Sequence, residues 1–144
     1  MRHRLYSALS VAAACLLWAA ASTPAAAQQG AHDLKCNGAL NPRGVRTPHP
    51  QLSWTINPVM IQRAYQILVA SSEEKLKNDE GDLWDSGKVV SDQTSAQYRG
   101  RDLSSQQRCY WKVRIWGAYY SAGAYSDSAI WDMGVLLFDR PEGK

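Results

Sequence analysis

The stretch Arg108–Trp116, reading Arg-Cys-Tyr-Trp-Lys-Val-Arg-Ile-Trp, constrains this chain more than any other. Cys109, Trp111, Val113 and Ile115 recur at period two, with Tyr110, Lys112, Arg114 and Trp116 between them. Successive side chains of a strand point to opposite faces, so the pattern gives an apolar inner face and an amphipathic outer one. A helix would scatter the same residues around its circumference. The stretch is expected to be the central strand of a sandwich.

Other segments alternate in the same way. Leu52, Trp54 and Ile56 share a face before Asn57-Pro58 ends the run. Tyr65, Ile67 and Val69 share one in Ala64–Ala70, whose β-branched and aromatic content suits a half-buried pleated surface. Ala129, Trp131, Met133 and Val135 do so in Ala129–Leu136, and Asp33–Asn37 reads as a first edge strand with Leu34 and Cys36 alike. Leu83–Val90 reads as a short strand, a turn over Asp85–Gly87 and a second strand start. Ala96–Tyr98 is another strand piece, and Gly100–Gln107 a polar connection anchored by Leu103. Asn41–Pro50 carries Pro42, Gly44, Pro48 and Pro50 and reads as connection, because proline has no ladder donor. Ser71-Ser72-Glu73-Glu74 resembles a capping box, with Ser71 as N-cap, opening one or two helical turns to about Lys77. Together these predict an all-β antiparallel sandwich of about seven strands. Its expected core holds Trp54, Tyr65, Ile67, Val69, Trp111, Val113 and Trp131. Periodicity alone leaves a small closed barrel as the alternative.

Ahead of this domain, Met1-Arg2-His3-Arg4 precedes an apolar run, Leu5–Ala21, and then Ala25-Ala26-Ala27. A basic start, a short apolar stretch and a small-residue site describe a secretory signal peptide over residues 1–27, cleaved after Ala27. The run is short for a membrane span of about 20 residues. The expected organisation is therefore a leader, one sandwich over 28–138 and a short tail over 139–144, in a secreted or periplasmic protein free of the membrane after cleavage. The formal charge of +3 includes Arg2 and Arg4 of the leader, so the mature chain offers no nucleic-acid or polybasic surface. Cys15 leaves with the leader as well. Cys36 and Cys109 sit in no Cys-x-x-Cys or histidine-rich context, which argues against a metal site. In an oxidising compartment such a pair suits a disulfide; two buried thiols are the other reading.

Catalytic chemistry is hard to find. Asp79, Glu80, Asp82 and Asp85 cluster, and a glycosidase needs two carboxyl groups across a scissile bond. These four lie in one glycine-bearing loop, however, and read as a solvated turn. His32 and His49 pair with nothing in sequence, and no Gly-x-Ser-x-Gly or phosphate-loop motif occurs. No catalytic, metal or cofactor residue is expected. The aromatic residues Trp116, Tyr119, Tyr120 and Tyr125 gather in or beside the Gly117–Asp127 loop and form the candidate surface for a neighbouring domain or a glycan.

Several strings in this order carry a resemblance: Pro50-Gln51-Leu52-Ser53-Trp54, Ala64–Ser72, Gly81–Val89, Ser91-Asp92-Gln93, Cys109–Trp116 and Trp131-Asp132-Met133-Gly134. The chain resembles the N-terminal immunoglobulin-like domain of bacterial α-L-rhamnosidases of glycoside hydrolase family 78. The resemblance runs from about Leu34 to Leu137. It implies a fibronectin type III-type sandwich placed before a carbohydrate-binding β-domain and a helical catalytic barrel, with the catalytic acids in that barrel. A non-catalytic accessory module whose partners are those following domains is the function it implies. A free-standing exported glycan- or protein-binding module is the alternative, and an enzyme acting alone the third. Two departures stand out: Trp116-Gly117 followed by Gly123-Ala124-Tyr125-Ser126 in the last loop, and Phe138–Lys144, which leaves the family's continuation. The latter fits a truncated or frame-shifted gene, or a natural stand-alone module. The sandwich type also places a tyrosine at the corner near the start of the penultimate strand. Cys109 stands at that position, where a bond to Cys36 would replace the corner packing.

Overall fold

The computed structural model describes residues 30–119 and 121–137. Residues 1–27, read above as a signal peptide, and the tail after Leu137 lie outside these, as does Tyr120. Eight strands and one short helix follow in order: β1 (His32–Cys36), β2 (Gln51–Thr55), β3 (Ala64–Ala70), α1 (Glu73–Lys77), β4 (Trp84–Asp85), β5 (Val89–Val90), β6 (Ser95–Gln97), β7 (Arg108–Trp116) and β8 (Ala129–Asp132). One sheet has the order β1-β2-β6 and the other β4-β3-β7-β8, with β5 also against β3. All the strand pairs are antiparallel. The two sheets face each other across one core, as the alternation requires.

The central strand is β7. It pairs with β3 along seven residues, from Ala64↔Trp116 to Ala70↔Tyr110, and with β8 on its other side. All seven expected core residues are buried in a single cluster, together with Leu52, Tyr98 and Met133. Trp54 packs edge-on to Tyr65 at 5.0 Å, and Tyr98 and Trp111 both meet Trp131 edge-on, at 5.9 and 6.5 Å. These are the separations at which ring quadrupoles attract.

Four details differ from the sequence reading. The turn expected over Asp85–Gly87 does not reverse the chain: β4 and β5 both lie along the same edge of β3, interrupted by Gly87 at positive φ. Ser86 fills the interruption by donating its N–H to Ile67 O and accepting the Ile67 N–H at its hydroxyl. Counted as one broken strand, the pair gives the expected seven. The helix cap is Ser72, whose hydroxyl accepts from Lys75 N, and not Ser71. Ser71 is held instead by Asp82, which accepts from both its N–H and its hydroxyl. The outer face of β3 is also covered: Leu68 and Ala70 are buried beneath Leu76 of α1. Finally, β8 ends at Asp132, and the chain turns to bridge Val45 at Met133. That change of partner shifts the inward position by one residue, so Leu136 is buried and Val135 is exposed.

Candidate functional site

The amphipathic face of β7 builds the first candidate surface. Tyr110, Lys112, Arg114 and Trp116 point away from the core, and Tyr125 of the following loop folds back over them. Arg114 lies between two rings, with its guanidinium carbon 5.0 Å from the Trp116 centroid and 4.7 Å from that of Tyr125. Its fork is fixed by Gln66 Oε1, which accepts from Nε at 2.9 Å and Nη2 at 2.6 Å, while Gln66 Nε2 donates to Asp85. Lys88 stands over Trp116 at 5.1 Å and Lys112 over Tyr125 at 4.5 Å. Lys112 is itself buried and paired with Asp79. The faces of Trp116 and Tyr125 thus hold protein cations, an arrangement that ring quadrupoles favour. A sugar cannot stack there without displacing them.

Of the four aromatic candidates, the structure joins Trp116 and Tyr125 through Arg114. Trp116 is buried, so little of it is open at that candidate surface. Tyr119 stands apart and is 93% exposed. Burial pushes the Tyr125 phenol up, with Arg114 acting in the opposite direction. The cations were legible as alternating Lys112 and Arg114 beside aromatic residues on one strand face; their seats on the rings were not.

A second candidate is a groove of about 1050 Å³ between β1 and the Ser121–Ala129 segment, with Asn57, Val59 and Met60 at one side and Tyr119 at its edge. Ile115, Leu34 and Ala129 supply apolar lining, and Asp33, Asn41 and Asp127 supply polar groups. Some of these are already engaged: Asn41 Oδ1 accepts from Ile130 N at 3.0 Å and Asn57 Oδ1 from Val59 N at 3.1 Å. Asp33 and Asp127 are both exposed to solvent. A general acid in glycoside hydrolysis works from a desolvated position, which neither has.

The acidic loop is divided among structural duties. Asp79 pairs with Lys112, Asp85 accepts from Gln66 and from Gly87 N, and Glu80 is exposed. Burial alone would raise the Asp82 carboxyl, but hydrogen bonds from Ser71 and Lys75 hold it at about 2. Cys36 and Cys109 are buried thiols in the common core, one on each sheet. Desolvation pushes both up to about 12, and for Cys109 the neighbouring Cys36 adds to it. Among the described residues no group of His, Cys, Asp and Glu could hold a metal ion, and no helix is long and apolar enough to cross a membrane.

One structural residue was missed in the sequence. Tyr98, just after β6, is buried and donates its hydroxyl to Arg101 O at 2.8 Å, close also to Leu83 O at 3.3 Å. It locks the connection into β7, the corner role looked for at Cys109. A Cβ on Gly100 would overlap the Tyr98 hydroxyl and Leu83 O, so the Tyr98-Arg99-Gly100 string was the available signal.

Residues 31–137 match the family model for the Rha78A-like, N-terminal immunoglobulin domain. The chain belongs to this family. An α-L-rhamnosidase of Streptomyces avermitilis is 40% identical over 99 residues, which is 66% of this chain and 9% of the relative. One from Formosa agariphila is 36% identical over 104 residues, 69% of this chain and 11% of the relative. The solved α-L-rhamnosidase from Dictyoglumus thermophilum superposes with a TM-score of 0.71 at 34% identity, over 74% of this chain and 12% of that one. This Rha78A-like domain thus spans about a tenth of the length of the relatives it matches. It corresponds to their N-terminal immunoglobulin domain and not to the catalytic one, and in them other domains follow it.

Proposed function

We propose that this chain is the non-catalytic accessory domain of an exported α-L-rhamnosidase-type glycoside hydrolase, packing against and presenting the domains that follow it. The observation that supports this most is the extent of the likeness: the whole sandwich matches, yet it covers a tenth of each relative. The chemistry points the same way. Inverting hydrolysis needs an acid and a base about 6.5–9.5 Å apart around a sugar-sized cleft, whereas Asp79, Asp82 and Asp85 each serve a separate structural contact. We read the protein as secreted or periplasmic after cleavage at Ala27. In that compartment the two buried cysteines, Cys36 and Cys109, are the pair that a disulfide would join across the two sheets.

The test is an aryl-rhamnoside assay on the purified chain and on a variant with Asp79, Glu80, Asp82 and Asp85 all replaced by alanine. No turnover is expected from either; turnover that vanishes in the variant overturns the reading. A glycan-binding module is the second reading, supported by Tyr119 projecting at the groove. Titrating L-rhamnose while following tyrosine ring signals by NMR tests it: saturable shifts lost in Tyr119→Ala would show binding at the groove, and no shift would remove this reading.

A further inference from the structure

Domain ends are ordinarily where order is lost unless something ties them down. Here the chain leaving β8 is tied on both sides. Asp132 N donates to Pro42 O, Val45 N to Asp132 O and Gly134 N to Val45 O at 2.7 Å. On the other side Met133 N donates to Gln107 O, Gln106 N to Gly134 O, and Leu136 N to Ser105 Oγ at 2.7 Å. Residues 133–136 therefore run as a laced strip between the Pro42–Val45 and Ser105–Gln107 segments.

The packing is equally close. A Cβ on Gly134 would sit 3.0 Å from Gly44 O and 3.1 Å from its carbonyl carbon, so the two backbones touch where only glycine fits without a shift. Met133 and Leu136 are buried as anchors, while Val135 is 55% and Leu137 85% exposed. Two apolar side chains are thus held outward at the last described residues of a rigid strip. Arg43, Arg108 and Asp132 form an ion cluster at the same end. Exposed apolar side chains with charged ones nearby in the chain are the composition of an interface patch.

What meets this patch follows from continuity. In the relatives other domains come after this one, and the family match ends at residue 137. The polypeptide nearest Val135 and Leu137 in such a protein is the one that continues from them. We infer that Met133–Leu137 is a splint that fixes the angle of the next domain, and that Val135 and Leu137 dock on an apolar face of that domain. This rests on the accessory reading above. The other exposed apolar side chains, such as Val59 and Tyr119 at the groove and Val90 on β5, lie away from the exit.

Two experiments test it. In the 144-residue chain, amide exchange of Gly134 and Leu136 should be at least about 100-fold slower than in an unstructured peptide, as for a tied segment. Exchange there as fast as in an unstructured peptide would overturn the splint. For docking, residues 31–137 replace the matching domain of the Streptomyces avermitilis enzyme, and thermal stability is compared with that enzyme lacking the domain. The chimera should be the more stable, and Val135→Asp with Leu137→Asp should lower its Tm by about 3 °C or more. Val90→Asp should not, and the same pair in the 144-residue chain should leave the urea midpoint unchanged. A stable chimera indifferent to the pair would overturn the docking while the accessory role stands. A chimera no more stable than the deletion would overturn both.

Discussion

Lys112 offers a direct measurement of what holds the outer layer. Its side chain is 11% exposed, lies over the Tyr125 ring and pairs with Asp79, whose own side chain is 60% exposed. Breaking a fully buried pair costs about 3–5 kcal/mol, because a charge is left desolvated without a partner. With one partner more than half in water, screening reduces this, and Asp79→Asn should cost about 1–2 kcal/mol. Asparagine is the informative choice because Asp79 has φ of 58°, a conformation asparagine also tolerates, so the charge is removed without added backbone strain. Lys112→Met keeps the aliphatic stem against the sheet and loses the ring contact, worth about 0.5–1 kcal/mol. It also removes the charge that needed a partner, so it should cost less than about 1 kcal/mol. In the Lys112→Met background, Asp79→Asn should then cost almost nothing. Urea unfolding of the four proteins reads this as a midpoint drop of about 1 M for Asp79→Asn alone. An equal drop in both backgrounds would show that Asp79 does not act through Lys112, and the account of the layer would be wrong.

Trp111→Ala should cost about 3–5 kcal/mol, since the ring is fully buried against Trp131, and an unchanged denaturant midpoint would mean that the core is misassigned. Asp82 sets an acid limb. Its carboxyl is held at about 2 against an ordinary 3.8, so after solvent screening it contributes about 1 kcal/mol above pH 4, lost as pH falls from about 4 to 2. Asp82→Asn should flatten stability over that window, with the part due to Asp132, lowered by Arg108, remaining. For the cysteines, exported protein denatured without reductant should release no titratable thiol, and a crosslink spanning about 70 residues should add about 4 kcal/mol on the chain-entropy estimate; two thiols released would show that the bond is absent.

The inward faces of β2, β3 and β7 were legible because one side of each strand meets the core and period-two alternation records that directly. Alternation is silent where a second layer is added. Leu68 and Ala70 fall on the outward phase of β3, and only the placement of α1 across that face explains their burial. It also fails where a strand changes partner: after Asp132 the ladder to β7 ends, contact with Val45 begins, and Leu136 takes the inward position instead of Val135. Glu74 three residues on favoured Ser71 as the cap in the sequence; Asp82, eleven residues on, engages Ser71 instead and leaves the cap to Ser72. Trp116 and Tyr125 could be recognised as neighbours of the last loop, but not as rings already covered by Lys88, Arg114 and Lys112.

These placements bear on how the two functional readings relate. Along β7 the chain runs from Arg108, beside Asp132 and the laced exit, to Trp116, beside the loop that closes the groove. Gly30 and Ala31 line the groove, whereas Gly134 and Leu136 are bound near Gly44 and Ser105 toward the opposite end. A domain docked on Val135 and Leu137 would therefore lie at the other end of β7 from Tyr119. The accessory role and a ligand beside Tyr119 would thus use different parts of one sandwich, so each has its own test. The cation-covered rings have a third part: they fasten the Tyr125 loop to β7 and β3, and so position one wall of the groove. Arg114→Ala should accordingly alter the groove, read as exchange of the Ser121–Ala129 amides, while leaving the exit strip, which it does not touch, as protected as before.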